Sequence, residues 1–136
     1  MIAQTLTTSF KAQLYEGVHN LLTDVIKIAL YTAPANLGAD TTIYSATDEV
    51  VASGYTAGGN VMPGITVSTS GTVAFVGFPN VSWTSALTAR GALIYNVTQG
   101  NKSIAVLDFG SDKTSTATFT ITMPANTSTT ALIRSS

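Results

Sequence analysis

Asp24–Ala33 reads DVIKIALYTA, and its period decides the fold. Ile26, Ile28 and Leu30 fall on one side of an extended chain, and Val25, Lys27, Ala29 and Tyr31 on the other, which is the alternation of a strand. Pro34 has no amide hydrogen to give a neighbouring strand and closes the run. The same pattern, rich in Val, Ile, Thr, Phe and Tyr, returns at Val50–Ser53, Val61–Ser68, Thr72–Phe78, Val81–Thr84, Arg90–Asn96, Ser103–Phe109, Thr116–Met123 and Ala131–Arg134. Gly58-Gly59, Ser70-Gly71, Pro79-Asn80, Gly100-Asn101, Gly110-Ser111 and Pro124 punctuate the runs. Gly100-Asn101 lies between two strong runs and predicts a tight hairpin. About eight short strands at this spacing predict an all-β fold, an antiparallel β-sandwich of jelly-roll or Ig-like type.

One helix signal precedes the strands. Ser9 is suited to cap a helix over residues 9–17, with Phe10, Leu14, Val18 and Leu21 as its apolar stripe and Gly17 at its end. The stripe is expected to pack on an edge or open end of the sandwich. Residues 1–8 form an N-terminal arm that carries Ile2 and Leu6 and almost no charge. The arm is expected to clamp a neighbouring subunit; pairing inside its own subunit as an extra edge strand is the alternative. Pro34–Glu49 is the longest irregular piece, and Thr47-Asp48-Glu49 is suited to open a short helical turn. The expected core takes one face from each strand: Ile26, Ile28, Leu30, Val67, Phe75, Leu93 or Ile94, Val106, Phe119 and Ile121.

A chain of 136 residues fits one domain, taken as residues 1–136. Charged residues are only 10%, against about 25% in ordinary soluble domains. Hydroxyls replace them, with 23 Thr and 13 Ser. Six Lys plus Arg against seven Asp plus Glu leave a net charge of −1, too little basic surface to bind nucleic acid by counterion release. No apolar run approaches the roughly 20 residues that span a bilayer, so no membrane partner is expected. The start, MIAQTLTTSFK, has no basic region followed by an apolar core, and no signal peptide is expected. The absence of cysteine excludes disulfides, thiolate metal sites and thiol nucleophiles.

Candidate chemistry is sparse. His19 is the single histidine; a metal site needs several ligands and a triad needs a serine elbow that is missing. A polar contact at the helix end is its expected role. Asp108 and Asp112 bracket DFGSD and are the one carboxylate pair to weigh for glycosidase chemistry; turn hydrogen bonds are the favoured reading. SGYTAGGN carries Gly54, Gly58 and Gly59 but no lysine opening a helix, so it predicts a turn or bulge and not a phosphate cradle. Trp83 is either core, interface or a sugar platform. No catalytic residue, cofactor or metal ligand is assigned.

Several stretches together resemble a family of small structural proteins of tailed-bacteriophage virions. They are SFKAQLYEGVHNLLTDVIKIALYTAPANLGADTTIYSATDEV at 9–50, GYTAGG at 54–59, the strand end at Trp83, ARGALIYN at 89–96 and AVLDFGSDK at 105–113. The resemblance spans roughly residues 9 to 134. It implies a virion component without enzymatic activity, made in the host cytoplasm and carried on the particle surface. A capsid decoration (cement) protein bound to the major capsid protein, as a homo-oligomer or lattice, is the expected role. A tail- or fibre-associated protein, or a glycan-binding module contacting the host surface, is the alternative. Ile2, Leu6, Phe10 and Trp83 are the expected interface residues.

Overall fold

The computed structural model describes residues 1–135. Its elements are β1 (Thr5–Leu6), α1 (Thr8–Tyr15), β2 (Ile26–Tyr31), β3 (Asn60–Val61), β4 (Thr66–Ser70), β5 (Val73–Gly77), β6 (Val81–Trp83), β7 (Thr88–Asn96), β8 (Lys102–Thr114), β9 (Phe119–Ile121) and β10 (Ile133–Ser135). The fold is mostly β with one short N-terminal helix. Three antiparallel sheets have the orders β1-β8-β7-β2-β3, β10-β5-β4 and β6-β9, and none closes into a barrel. No helix among the described residues is long and apolar enough to cross a membrane.

The helix begins earlier than Ser9 suggests. Thr7 is the cap: its backbone is extended and its hydroxyl accepts from the Phe10 amide at 3.3 Å. Ser9 instead meets the Ser103 hydroxyl at 3.4 Å. Gly17, at φ +72°, stops the helix as expected, with Gly17 N–H donating to Leu14 and Val18 N–H to Gln13. The stop falls before Val18, so the four-residue stripe is cut. Phe10 is fully buried and Leu21 is buried beyond the helix, while Leu14 is exposed.

The five-stranded sheet is buried on both faces, which changes the core. Ile26, Ile28, Leu30, Ala92 and Ile94 join Val76, Val81, Trp83, Phe119, Ile121 and Ile133 in one cluster that links the large sheet to the two smaller ones. Ala29, Tyr31, Leu93, Tyr95 and Val106 face the other way and are covered by Ile2, Ala35 and Leu37. Leu93 and Ile94 are therefore both core, on opposite faces. Val106 belongs to the second cluster, a correction to the single-faced core. Val67 is a second correction, at 49% exposed. It sits on β4, an edge strand that pairs only with β5 and presents hydroxyls on both faces.

Two strand expectations and one helical turn also change. Val50–Ser53 forms no strand; Glu49 makes an isolated bridge to Tyr31. Thr47-Asp48 is a turn with Asp48 at φ +61°, not a helical turn. Val61–Ser68 divides into β3 and β4 because Pro63 and Gly64, at φ +75°, break it. The β7–β8 hairpin forms, with Gly100 and Asn101 at positive φ inside a connection of residues 97–101.

The N-terminal arm follows the second of its two expected courses. Thr5 and Leu6 pair with Val106 and Ala105 of β8, and Ile2 bridges Leu37. Pairing satisfies backbone groups on the outer edge of β8, and Ile2 closes the second cluster.

Candidate functional site

Polar chemistry concentrates where the irregular segment 34–59 meets β2 of the large sheet, Glu49 bridging Tyr31. The segment is tied down through Glu49, which is buried. Tyr44 Oη donates to Glu49 Oε1 at 2.5 Å, Tyr55 Oη to Oε2 at 2.5 Å, and the Gly58 amide to Oε2 at 2.8 Å. Tyr55 Oη in turn accepts from the Leu30 amide at 2.8 Å, which joins the tie to β2. Tyr95 Oη on β7 donates to the Gly58 carbonyl at 2.5 Å, and Tyr31 Oη to the Ser45 carbonyl at 2.7 Å. The Tyr44 and Tyr95 rings stack, centroids 4.7 Å apart.

SGYTAGGN is a turn, as expected, and its closing glycine is required. Gly59 sits at φ +78°, and a Cβ there would run into the Ile28 carbonyl. The segment thus lies directly on the β2 backbone. Burial, and then the Glu49 carboxylate, hold the Tyr31, Tyr44 and Tyr55 phenols well above the usual tyrosine value, and Tyr95 is pushed up to about 12. All four hydroxyls therefore stay protonated donors. A buried carboxylate facing three donors fastens the loop. No feature of the sequence groups Glu49 with Tyr31, Tyr44, Tyr55 and Tyr95, because their spacings follow no period.

A second polar cluster closes the helix end. His19 has Nε2 2.7 Å from Gln13 Oε1 and Nδ1 3.0 Å from Asn96 Nδ2. It is the polar contact expected of it. Asp24 Oδ2 accepts from the Asn20 amide and from the Asn96 and Gln99 side chains. These hydrogen bonds outweigh partial desolvation and hold the Asp24 carboxyl below the usual range.

Asp108 accepts the local backbone hydrogen bond expected of it, but inside the continuous strand β8, at a bulge and not at a turn. Its Oδ1 accepts from the Gly110 amide at 2.9 Å and the Arg90 Nε at 3.2 Å, which lowers its pKa. Residues 109–112 bulge out of β8 opposite the single residue Arg90. Asp112 is exposed. No group of three or more His, Asp or Glu that could hold a metal occurs among the described residues.

Three of the four expected interface residues are interior. Ile2 is 5% exposed, Phe10 is fully buried and Trp83 is 3% exposed; only Leu6 is partly open. This corrects their place at a subunit contact: each is consumed by its own chain. Trp83 packs against Tyr55 and Phe119, at 6.0 and 6.3 Å between centroids, so it offers no platform to a sugar. Beside β9 an open groove of about 920 Å³ is floored by Leu107, Phe109, Phe119 and Ile121 and rimmed by threonines. Comparison with protein-family models, curated proteins and solved structures gives no match to this chain.

Proposed function

We propose that this chain is a non-enzymatic structural component of a tailed-bacteriophage particle, a decoration protein seated on the outer shell against the major capsid protein. The observation that carries the reading is where the polar groups go. His19 and Asp24 fasten the connection 16–25 to β7, Glu49 ties the segment 34–59 to β2 through Tyr55, and Asp108 braces the β8 bulge against Arg90. What β4 turns outward is a run of threonine and serine hydroxyls. Such a surface suits many short, water-bridged contacts, and a net charge of −1 sets little repulsion between neighbouring copies. The resemblance over residues 9 to 134 supports the same role. The reading includes assembly as a homo-oligomer or lattice. It also includes a sandwich of jelly-roll or Ig-like type, the five-stranded sheet forming one layer and the smaller sheets the other.

Quantitative mass spectrometry of purified parent particles tests it. The expected result is a copy number in step with that of the major capsid protein. A few copies per particle would place the chain at the tail or a fibre instead. Absence from the particle would overturn the virion role altogether.

A further inference from the structure

His19 lies where α1, the connection 16–25 and the end of β7 meet. Its partners fix its protonation state by geometry. Asn96 is fully buried and its amide is fully used: Nδ2 donates to Asp24 Oδ2 at 2.8 Å and to His19 Nδ1 at 3.0 Å, while Oδ1 accepts from the Gln99 amide at 3.2 Å. Turning the amide over would set its oxygen against the Asp24 carboxylate and its NH2 against the Gln99 N–H. Asn96 therefore presents a donor to His19, and Nδ1 must present a lone pair. The ring hydrogen belongs on Nε2, where it is donated to Gln13 Oε1 on α1. The same ring leans on Phe10, centroids 5.0 Å apart, so it also props the buried side of α1.

We propose that His19 is an acid-operated catch on the N-terminal helix: a proton added at Nδ1 meets the Asn96 N–H and frees α1 and the connection 16–25 from the end of β7. Two charged groups bear on the ring from outside α1. Asp24, in the connection leading to β2, favours the imidazolium; Lys102, at the start of β8, opposes it. The group that faces Nδ1 is the Asn96 N–H and not the carboxylate, whose Oδ2 is held by Asn20, Asn96 and Gln99. Lys102 is fixed nearby through the Gln99 carbonyl at 2.9 Å. Partial burial is the largest influence and, with Lys102, holds the His19 pKa below 6.5. The folded chain therefore binds this proton less well than the unfolded chain. The contribution is complete above pH 6.5 and is lost as pH falls from there through the folded value.

Nitrogen NMR of the imidazole, with amide exchange read at the same pH values, tests the catch between about pH 8 and pH 5. At the upper end His19 is expected as the Nε2–H tautomer. Below 6.5, exchange protection over residues 8–25, corrected for intrinsic rates, is expected to fall with pH, one proton's slope of about tenfold per pH unit being the ceiling. In His19→Gln, which takes up no proton in this window, the protection is expected not to change with pH. An Nδ1–H tautomer, titration at or above the ordinary value, or protection in the native chain that ignores the titration would each overturn the proposal. The native-chain readings decide it even if the variant does not fold.

Discussion

Glu49→Ala is expected to destabilise the fold by about 3–6 kcal/mol, since it strips the acceptor from two buried donors, at a cost of about 1–3 kcal/mol each, and from a partly buried third that loses less. The donors are Tyr44 Oη, Tyr55 Oη and the Gly58 amide. Water entering the vacated space offsets part of the loss, which sets the lower figure. Domains of this size have about 5–15 kcal/mol in total, so the variant should be close to the limit of folding. Glu49→Gln keeps the shape and one oxygen but turns an NH2 towards a donor, and about 1–3 kcal/mol is expected there. Urea denaturation gives the stability, and amide exchange over residues 44–58 shows whether the loss is centred on the segment. An alanine variant within 1 kcal/mol of the native chain, roughly one ordinary hydrogen bond, would mean that Glu49 does not hold the segment.

The tyrosines give the second large effect, on the alkaline side. Each of the four is held above its ordinary value of 10, Tyr95 to about 12 and the others higher. The unfolded chain loses these protons near pH 10 while the folded chain keeps them. Folded molecules then bind more protons, and stability must fall as pH rises. One such group contributes a slope of about 1.4 kcal/mol per pH unit, and four together about 5. A fold of ordinary stability is exhausted within about one to three pH units of such a slope. Tyrosinate absorbance from these four should therefore rise together with the loss of the circular-dichroism signal, in one step. Ionisation of these tyrosines at about pH 10 with the signal intact would contradict the network.

What the sequence disclosed depended on what each signal measures. Period-two alternation located β2, β5, β6, β7 and the inner half of β8, because each has at least one continuous apolar face. The same rule misplaced Val67. Its neighbours alternate too, but β4 is an edge strand whose faces nothing covers. It also hid the second core, because alternation assigns one face only; the unbroken apolar runs ALIY at 92–95 and IAVL at 104–107 are the pattern of strands buried on both faces. β1 was illegible for another reason: its two residues become a strand only because β8 offers an edge. The histidine contact and the Gly110 amide's hydrogen bond to Asp108 were legible as local chemistry; the bulge that replaces the expected turn was not. The tyrosine network was not, since Tyr31, Tyr44, Tyr55 and Tyr95 reach Glu49 or its loop only after the sheet has brought them together.

The arm and helix rest on β8, and that dependence sets an order in time. Thr7 N–H donates to the Ile104 carbonyl, and Thr5 pairs with Val106, across a separation of about a hundred residues. Closing so long a loop costs entropy before any contact offsets it. The β7–β8 hairpin closes over a short connection and depends on no part of the arm for its own ladder. During synthesis the arm leaves the ribosome before β8 and has no template until β8 has followed. The arm is thus expected to acquire structure later than segments made after it. Pulse-labelled exchange during refolding should show amides of β7 and β8 protected before those of Thr5–Tyr15, and simultaneous protection would remove this order.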